Sequence, residues 1–357
     1  MLNFTVGPVM SCDEVLEVAS HSAPYFRTSE FSEVMLQNEK LMLKFLKAPK
    51  NSRCVFLTTS GTGAMESCVM NILNSRDKVI VINGGSFGYR FVELCKLHGY
   101  EMNEVRCEFG HQIKKEQLEG FSDKGYTALL INMDETSSGV LYDIPMVSQF
   151  CRENDILLII DAISAFITDE IDMEKFNAAA IITGSQKALA CQPGIAAIAL
   201  APDALERIEN NKEKCMYLSL KDALKNMERG QTPFTPAVTT LLQINKRLTT
   251  IEENDGIEDE RARIMELTDY FRNKISDYPF ELIAEDKSNA VTALHPTTCG
   301  AKEIVRVLKD EYGIWVCPNG GDLANEVFRI GHIGYITKSN YDVLFAAFDD
   351  MKIRGII

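Results

Sequence analysis

Ten cysteines occur in this chain, at positions 12, 54, 68, 95, 107, 151, 191, 215, 299 and 317, and no two have CxxC spacing. That argues against a zinc ribbon or a redox dithiol and leaves reduced, mostly buried thiols as the expectation. The five histidines show no HExxH or other ligand spacing, so no metal site is expected. No apolar run approaches membrane-spanning length, which argues against a transmembrane helix. The start, Met1-Leu2-Asn3-Phe4, has no basic segment or long apolar core, and Pro8 interrupts it; a cytoplasmic protein is expected. Positive charge is scarce: 37 Lys and Arg against 51 Asp and Glu give a net charge of -14. Such a surface disfavours nucleic acid and anionic lipid, although a local cationic pocket is compatible with it. Internal repeats, low-complexity tracts and disordered linkers are also missing. No GxGxxG follows the first apolar strand and no Gly-Lys-Ser/Thr follows a glycine loop, which disfavours a dinucleotide-binding dehydrogenase and a P-loop enzyme.

What is present is a chain of 357 residues, 46% hydrophobic and 25% charged, long enough to divide into two domains. Turn signals at Gly7-Pro8 precede a helix starting near Cys12 and another over Ser32–Lys47, for which Thr28 or Ser29 is the candidate cap. From about residue 50 to 201, short apolar runs alternate with helical segments. The strand candidates are Cys54–Thr59, Lys78–Asn83, Glu101–Cys107, Ala128–Met133, Leu157–Ala162, Ala179–Thr183 and Ile195–Ala201. Unbroken runs such as Leu157-Leu158-Ile159-Ile160 suit strands covered on both faces, and the alternation predicts a mostly parallel, doubly wound sheet. Beyond it the pattern predicts a long helix over 252–276 and a smaller α+β unit. In such sheets ligands bind beyond the carboxyl ends of the strands.

The unusual residues fall at those ends. Ser60-Gly61-Thr62-Gly63 follows the first strand: glycines let backbone approach a ligand, and the helix behind them offers unpaired N–H groups to a phosphate, with the Ser60 or Thr62 hydroxyl as an extra donor. Phe87, after the second strand, is placed to stack on a planar ring or to join the core. Thr136, in Glu135-Thr136-Ser137-Ser138-Gly139, offers a hydroxyl to a ring oxygen or to a local turn. Asp161 closes a buried strand and needs a partner there, whether a protonated ring nitrogen, a helix N-terminus or a metal. Lys187 follows the run Ile181-Ile182-Thr183-Gly184; a lysine in that place is either emerging into solvent or is chemically used, since burial lowers its pKa and frees the amine for a Schiff base. A phosphate cradle, a stacking ring, an oxygen site, a ring-nitrogen partner and a lysine together match the needs of pyridoxal 5'-phosphate.

Ordered along the chain, Gly7-Pro8, Arg27 to Phe31, Ser60 to Glu66, Glu135 to Gly139, Asp161 to Ser164, Gly184 to Leu189, Pro193-Gly194 and Phe328 to His332 resemble the class V aminotransferases of the alanine–glyoxylate and serine–pyruvate type. The resemblance implies a fold type I pyridoxal-phosphate-dependent transferase. Its mostly parallel seven-stranded sheet would lie in a large domain (15–245), with a smaller α+β domain from 1–14 and 246–357. It implies that Lys187 carries the cofactor and shuttles the proton, and that Asp161 pairs with the ring nitrogen. Ser60, Gly61, Thr62, Gly63 and Gln186 would hold the phosphate, with Phe87, Thr136 and Ser164 around the ring. Arg329, helped by backbone near Gly7, would bind the substrate carboxylate, and Arg27 is the other arginine in a matched motif. It also implies a homodimer whose partner chain completes the phosphate site through Thr232 or Thr235. The expected substrates are a small amino acid of the alanine or serine type and a 2-oxo acid such as pyruvate or glyoxylate. Two departures bear on substrate: Phe87 stands where relatives often have tryptophan, and Met133 where many have histidine. The 2-aminoethylphosphonate–pyruvate branch is a second reading, disfavoured because that branch carries Ala-Asn-Lys at its lysine and lacks the Gly-Thr-Gly loop. A lyase or cysteine desulfurase on the same fold is a third; it requires a reactive cysteine on a mobile loop, for which Cys299 and Cys317 are the candidates, with burial expected for Cys317.

Overall fold

Each of the seven apolar runs contributes a strand to one sheet in the computed structural model, which describes residues 1–357. The spatial order is Arg53–Leu57, Ala196–Leu200, Ala178–Gly184, Leu157–Asp161, Ala128–Asn132, Lys78–Asn83, Glu101–Arg106. Neighbours run parallel except at Ala196–Leu200, which is antiparallel to both flanking strands. The exception has a local cause. A parallel neighbour needs a crossover, whereas an antiparallel one needs only a reversal, and the short segment 185–195 reverses the chain directly, pairing Ala196 with Gly184. Lys187 lies within that reversal.

Helices cover both faces, as near-continuously buried strands require. Thr28, one of the two expected caps, accepts a hydrogen bond from Phe31 N and starts the helix Ser29–Phe45. The expected helix over 252–276 is instead two: Val238–Glu253 and Ile257–Ile275. Gly256, at φ 92°, separates them, a backbone conformation that a continuous helix excludes.

A second sheet has the order Leu2–Phe4, Ile314–Pro318, Phe328–Gly331, Val291–Pro296, Phe280–Leu282. Its first pair is parallel and the others antiparallel. Phe4, Phe271, Phe328, Tyr341, Phe345 and Phe348 pack its core. Helix Ile257–Ile275 joins the two cores, with Ile257 and Ile264 in the first and Leu267, Phe271 and Ile275 in the second. His332 belongs to this core: it is fully buried, held by Thr292 Oγ1 and the Tyr341 hydroxyl at 2.7 Å each, and burial pushes its pKa well below the usual range. No helix is long and apolar enough to cross a membrane.

Candidate active site

A cavity of about 450 Å³ opens at the carboxyl ends of the large-sheet strands. Most of the residues singled out above line it: Gly7, Ser60, Gly61, Thr62, Phe87, Thr136, Asp161, Ser164, Gln186, Lys187 and Arg329.

Lys187 is 9% exposed, and burial lowers its pKa, which favours the neutral, nucleophilic amine. Its Nζ donates to Val6 O at 2.5 Å. The reversal behind it is tied by Ser185 N to Ile195 O, Ser185 Oγ to Gln192 O and Cys191 N to Ser185 O, at 2.9, 2.7 and 2.9 Å. Gly7 sits against the lysine stem. At φ 127° it has a backbone conformation few other residues adopt, and a Cβ there would lie 2.9 Å from Lys187 Cδ.

The phosphate cradle is the start of helix Gly61–Ile72. The first helical N–H to find a carbonyl is that of Ala64, so those of Gly61, Thr62 and Gly63 remain available, and the Ser60 hydroxyl makes no capping bond. Gly61 and Gly63 are needed for packing: a Cβ would come within 2.3 Å of Ile163 Cδ1 at the first and 1.9 Å of Thr59 Oγ1 at the second. Gly63 itself does not line the cavity. Gln186 lines the cavity, its Oε1 is buried with no partner, and its NH2 is the end that can donate to a phosphate. Arg90, which the sequence reading passed over, enters here. Its guanidinium lies 4.5 Å from the Phe87 ring centroid, and its Nη1 donates to Thr62 Oγ1 at 2.9 Å. Phe87 therefore lines the cavity with a cation on it. The only clue in the sequence was the three-residue spacing from Phe87 to Arg90.

Asp161 is buried and accepts from Ile163 N at 2.8 Å; burial pushes its carboxyl up to about 6. Register places it level with Asn132 on one side and Ile182 on the other, at the carboxyl end of the sheet's central strand. Thr136 Oγ1 and Ser164 Oγ are 2.9 Å apart. Glu135 has a structural role: it accepts from Phe87 N at 3.3 Å, Gly88 N at 2.9 Å and Asn132 Nδ2 at 3.1 Å, locking the helix that carries Arg90. It also lies in the short hairpin Asp134–Glu135/Val140–Leu141, which the sequence reading had not expected.

Arg329, 7% exposed, donates from Nη1 to Thr136 O at 3.0 Å and from Nη2 to Pro318 O at 2.7 Å, while its Nε is buried and unpartnered. Two carbonyls thus fix the plane of the fork and leave donors for a planar anion. Cys317 pairs with Arg329 across the ladder and lines the cavity, half-buried, where burial was expected. It belongs to a strand and not to a mobile loop. Cys299 does not line the cavity.

Arg27, Thr232 and Thr235 are not brought to the cavity of their own chain. In its own chain Arg27 bonds a turn instead: Nη1 donates to Gln231 Oε1 at 3.2 Å and Thr232 O at 2.8 Å, and Nη2 to Pro233 O at 3.1 Å. A guanidinium so occupied holds a turn. Thr232 is buried and donates to Phe234 O at 2.8 Å, whereas Thr235 is exposed.

Free helix N–H groups, the donor end of the Gln186 amide, a strand-end carboxylate and a buried lysine fit pyridoxal phosphate: the first two would take its phosphate, Asp161 its ring nitrogen and Lys187 its aldehyde carbon. Fold and site together define an enzyme of the pyridoxal-phosphate-dependent type I class. The profile of the class-V aminotransferase family matches residues 13–331, and the chain belongs to that family and is a transaminase. An uncharacterized aminotransferase of Methanocaldococcus jannaschii is 32% identical over 336 residues, covering 92% of this chain and 86% of the relative. The L-aspartate–glyoxylate aminotransferase of Paracoccus denitrificans is 26% identical over 344 residues, 94% of this chain and 86% of its own. Among solved structures, the subgroup IV aspartate aminotransferase of Thermus thermophilus superposes with a TM-score of 0.89 at 26% identity, covering 97% of each chain.

Proposed function

We propose that this aminotransferase moves an amino group between a small amino acid of the alanine or serine type and pyruvate or glyoxylate. The observation that carries the substrate reading is the cation inventory of the cavity. Arg90 is bonded to Thr62 and stacked on Phe87, on the phosphate side. Arg27 is occupied by the 231–233 turn. That leaves Arg329, whose buried Nε has no partner, as the arginine assigned to the substrate, enough for one carboxylate.

When bound, pyridoxal phosphate supplies an aldehyde carbon for amino groups and a ring that accepts electrons from the substrate's α-carbon. Lys187 offers a neutral amine because its surroundings are dry, and the same amine can take the α-proton and return it. Asp161 would hold a proton at the ring nitrogen, and Thr136 and Ser164 would supply hydroxyls to the cofactor. Arg329 orients the substrate carboxylate against the carbonyls of Thr136 and Pro318 that fix its own plane. We further propose that residues 15–245 form the cofactor-binding domain and 1–14 with 246–357 the small one. In this reading the protein works in the cytoplasm as a homodimer in which Thr235, exposed on its own chain, reaches the partner's phosphate. The strand position of Cys317 and its pairing with Arg329 support a transaminase over a desulfurase.

A screen of amino donors against pyruvate, glyoxylate and 2-oxoglutarate tests the assignment. Alanine or serine should lead with pyruvate or glyoxylate. Aspartate, which occurs in the names of two relatives, is the donor to set against them; faster turnover with aspartate or 2-aminoethylphosphonate would overturn the monocarboxylate reading.

A further inference from the structure

Asp134 lines the cavity and has no part in the chemistry assigned so far. It is 3% exposed, and its Oδ2 lies 3.0 Å from Ser288 Oγ. The same hydroxyl lies 3.1 Å from Oδ2 of Asp169, a buried second carboxyl, and accepts from Ala290 N at 3.0 Å. A serine hydroxyl has one hydrogen. It can donate to one of the two carboxyls; the other contact is a hydrogen bond only if that carboxyl donates a hydrogen of its own.

The surroundings decide which one. Asp169 Oδ1 accepts from Asn289 N at 3.1 Å and Asn289 Nδ2 at 2.9 Å, and its Oδ2 from Thr168 Oγ1 at 2.9 Å; burial raises its carboxyl too, but these donors and the Arg272 guanidinium oppose the rise. Asp134 has no N–H donor. The charged groups facing it are Asp169, Asp161 and Lys187, and the lysine amine is turned to Val6 O. A bare carboxylate there would be buried beside two others without a hydrogen-bond donor except a hydroxyl already shared.

We infer that Asp134 carries a proton at neutral pH and donates it to Ser288, whose own hydrogen goes to ionised Asp169. Asp134 is then a positioning residue. The wall beside Lys187 is a neutral carboxylic acid, so the lysine faces one carboxylate of the cavity, Asp161, and its amine stays easy to deprotonate. Burial raises the Asp134 carboxyl well above the usual range, in agreement. The chain also pins residues 288–290 of the small-sheet side to Asp134 and Asp169 of the large-sheet side. The proton count stands on the hydrogen-bond partners, burial and facing charges of the two carboxyls; its bearing on Lys187 rests on the function proposed above.

The test is infrared spectroscopy of the purified, cofactor-loaded protein at neutral pH, with aspartate carboxyls labelled with carbon-13. A protonated-carboxyl band that shifts with the label is expected in the wild type and in Asp161→Asn, and its loss is expected in Asp134→Asn. Absence of the band from wild type, or its survival in Asp134→Asn, overturns the inference. Should Asp134→Asn not fold, Asp169→Asn decides: survival of the labelled band there supports the assignment, and its loss refutes it. The lysine's part is read from the pH titration of the bound chromophore's absorbance. Asp134→Asn replaces one neutral group by another and should move it by less than about 0.3 pH unit, whereas loss of a carboxylate would move it down by about 1 unit or more. If borohydride trapping failed at Lys187 while the band persisted, the functional reading would fall and the proton assignment would stand.

Discussion

Asparagine at position 161 should make the cofactor-free protein more stable and the enzyme nearly inactive. In the folded chain the Asp161 carboxyl is pushed from an ordinary 3.8 up to about 6, chiefly because burial penalises its charge. The folded state therefore holds the proton more tightly than the unfolded chain does. Folding takes up a proton between those two pH values, so stability falls as pH rises through that window and is level above it. A displacement of roughly two pH units corresponds to about 3 kcal/mol at neutral pH. Asparagine has no charge to bury and keeps an oxygen for the Ile163 N–H. The unfolding free energy of Asp161→Asn minus that of wild type, measured in urea on cofactor-free protein, should grow by about 3 kcal/mol between pH about 4 and pH about 7. Taking the difference cancels the titration of groups common to both proteins that do not interact with position 161. With cofactor bound the order should reverse, since only the carboxylate pairs with a protonated ring nitrogen, and turnover should fall by roughly 100-fold or more. A difference that is flat with pH, or that declines, would refute the burial argument; near-normal turnover would refute the role.

Four other outcomes follow from the geometry. Borohydride should trap the cofactor on the peptide containing Lys187, and Lys187→Ala should be colourless and inactive; a label on another lysine would contradict the assignment. Arg329→Lys keeps the charge but loses the planar fork, so kcat/KM should drop in both half-reactions by about one charge-assisted hydrogen bond, roughly 10- to 100-fold; a change under about 3-fold would release Arg329 from the substrate role. Thr235→Ala should weaken cofactor binding by a similar factor, while Thr232→Ala, whose hydroxyl is already bonded to Phe234 O, should not; sedimentation showing a fully active monomer would remove the cross-chain contact altogether. Arg27→Ala should lower activity with alanine and with aspartate alike, because it frees the 231–233 turn; loss with aspartate alone would restore Arg27 as a specificity residue.

Much of this site was legible along the chain because its parts are strand ends and helix starts. An apolar run followed by Gly184 and Ser185 marks where a buried strand stops, so a lysine two residues later is noticed without coordinates. Ser60 to Gly63 reads as a helix N-terminus for the same reason, and the seven runs of one sheet are local hydrophobic patterns. What sequence could not decide is which polar groups are already satisfied. Arg27 stands in a matched motif as Arg329 does, yet its donors meet Gln231, Thr232 and Pro233, some 200 residues away, and it lies outside the cavity of its own chain. Thr232 and Thr235 look equivalent until one hydroxyl is found bonded and the other exposed. Arg90 gained its place only when Glu135 locked its helix beside Thr62, and Asp134 its proton only when folding brought Ser288 and Asp169 to it. Periodicity reports burial along a chain, but hydrogen-bond donors are counted in space, and that count is a property of the tertiary structure alone.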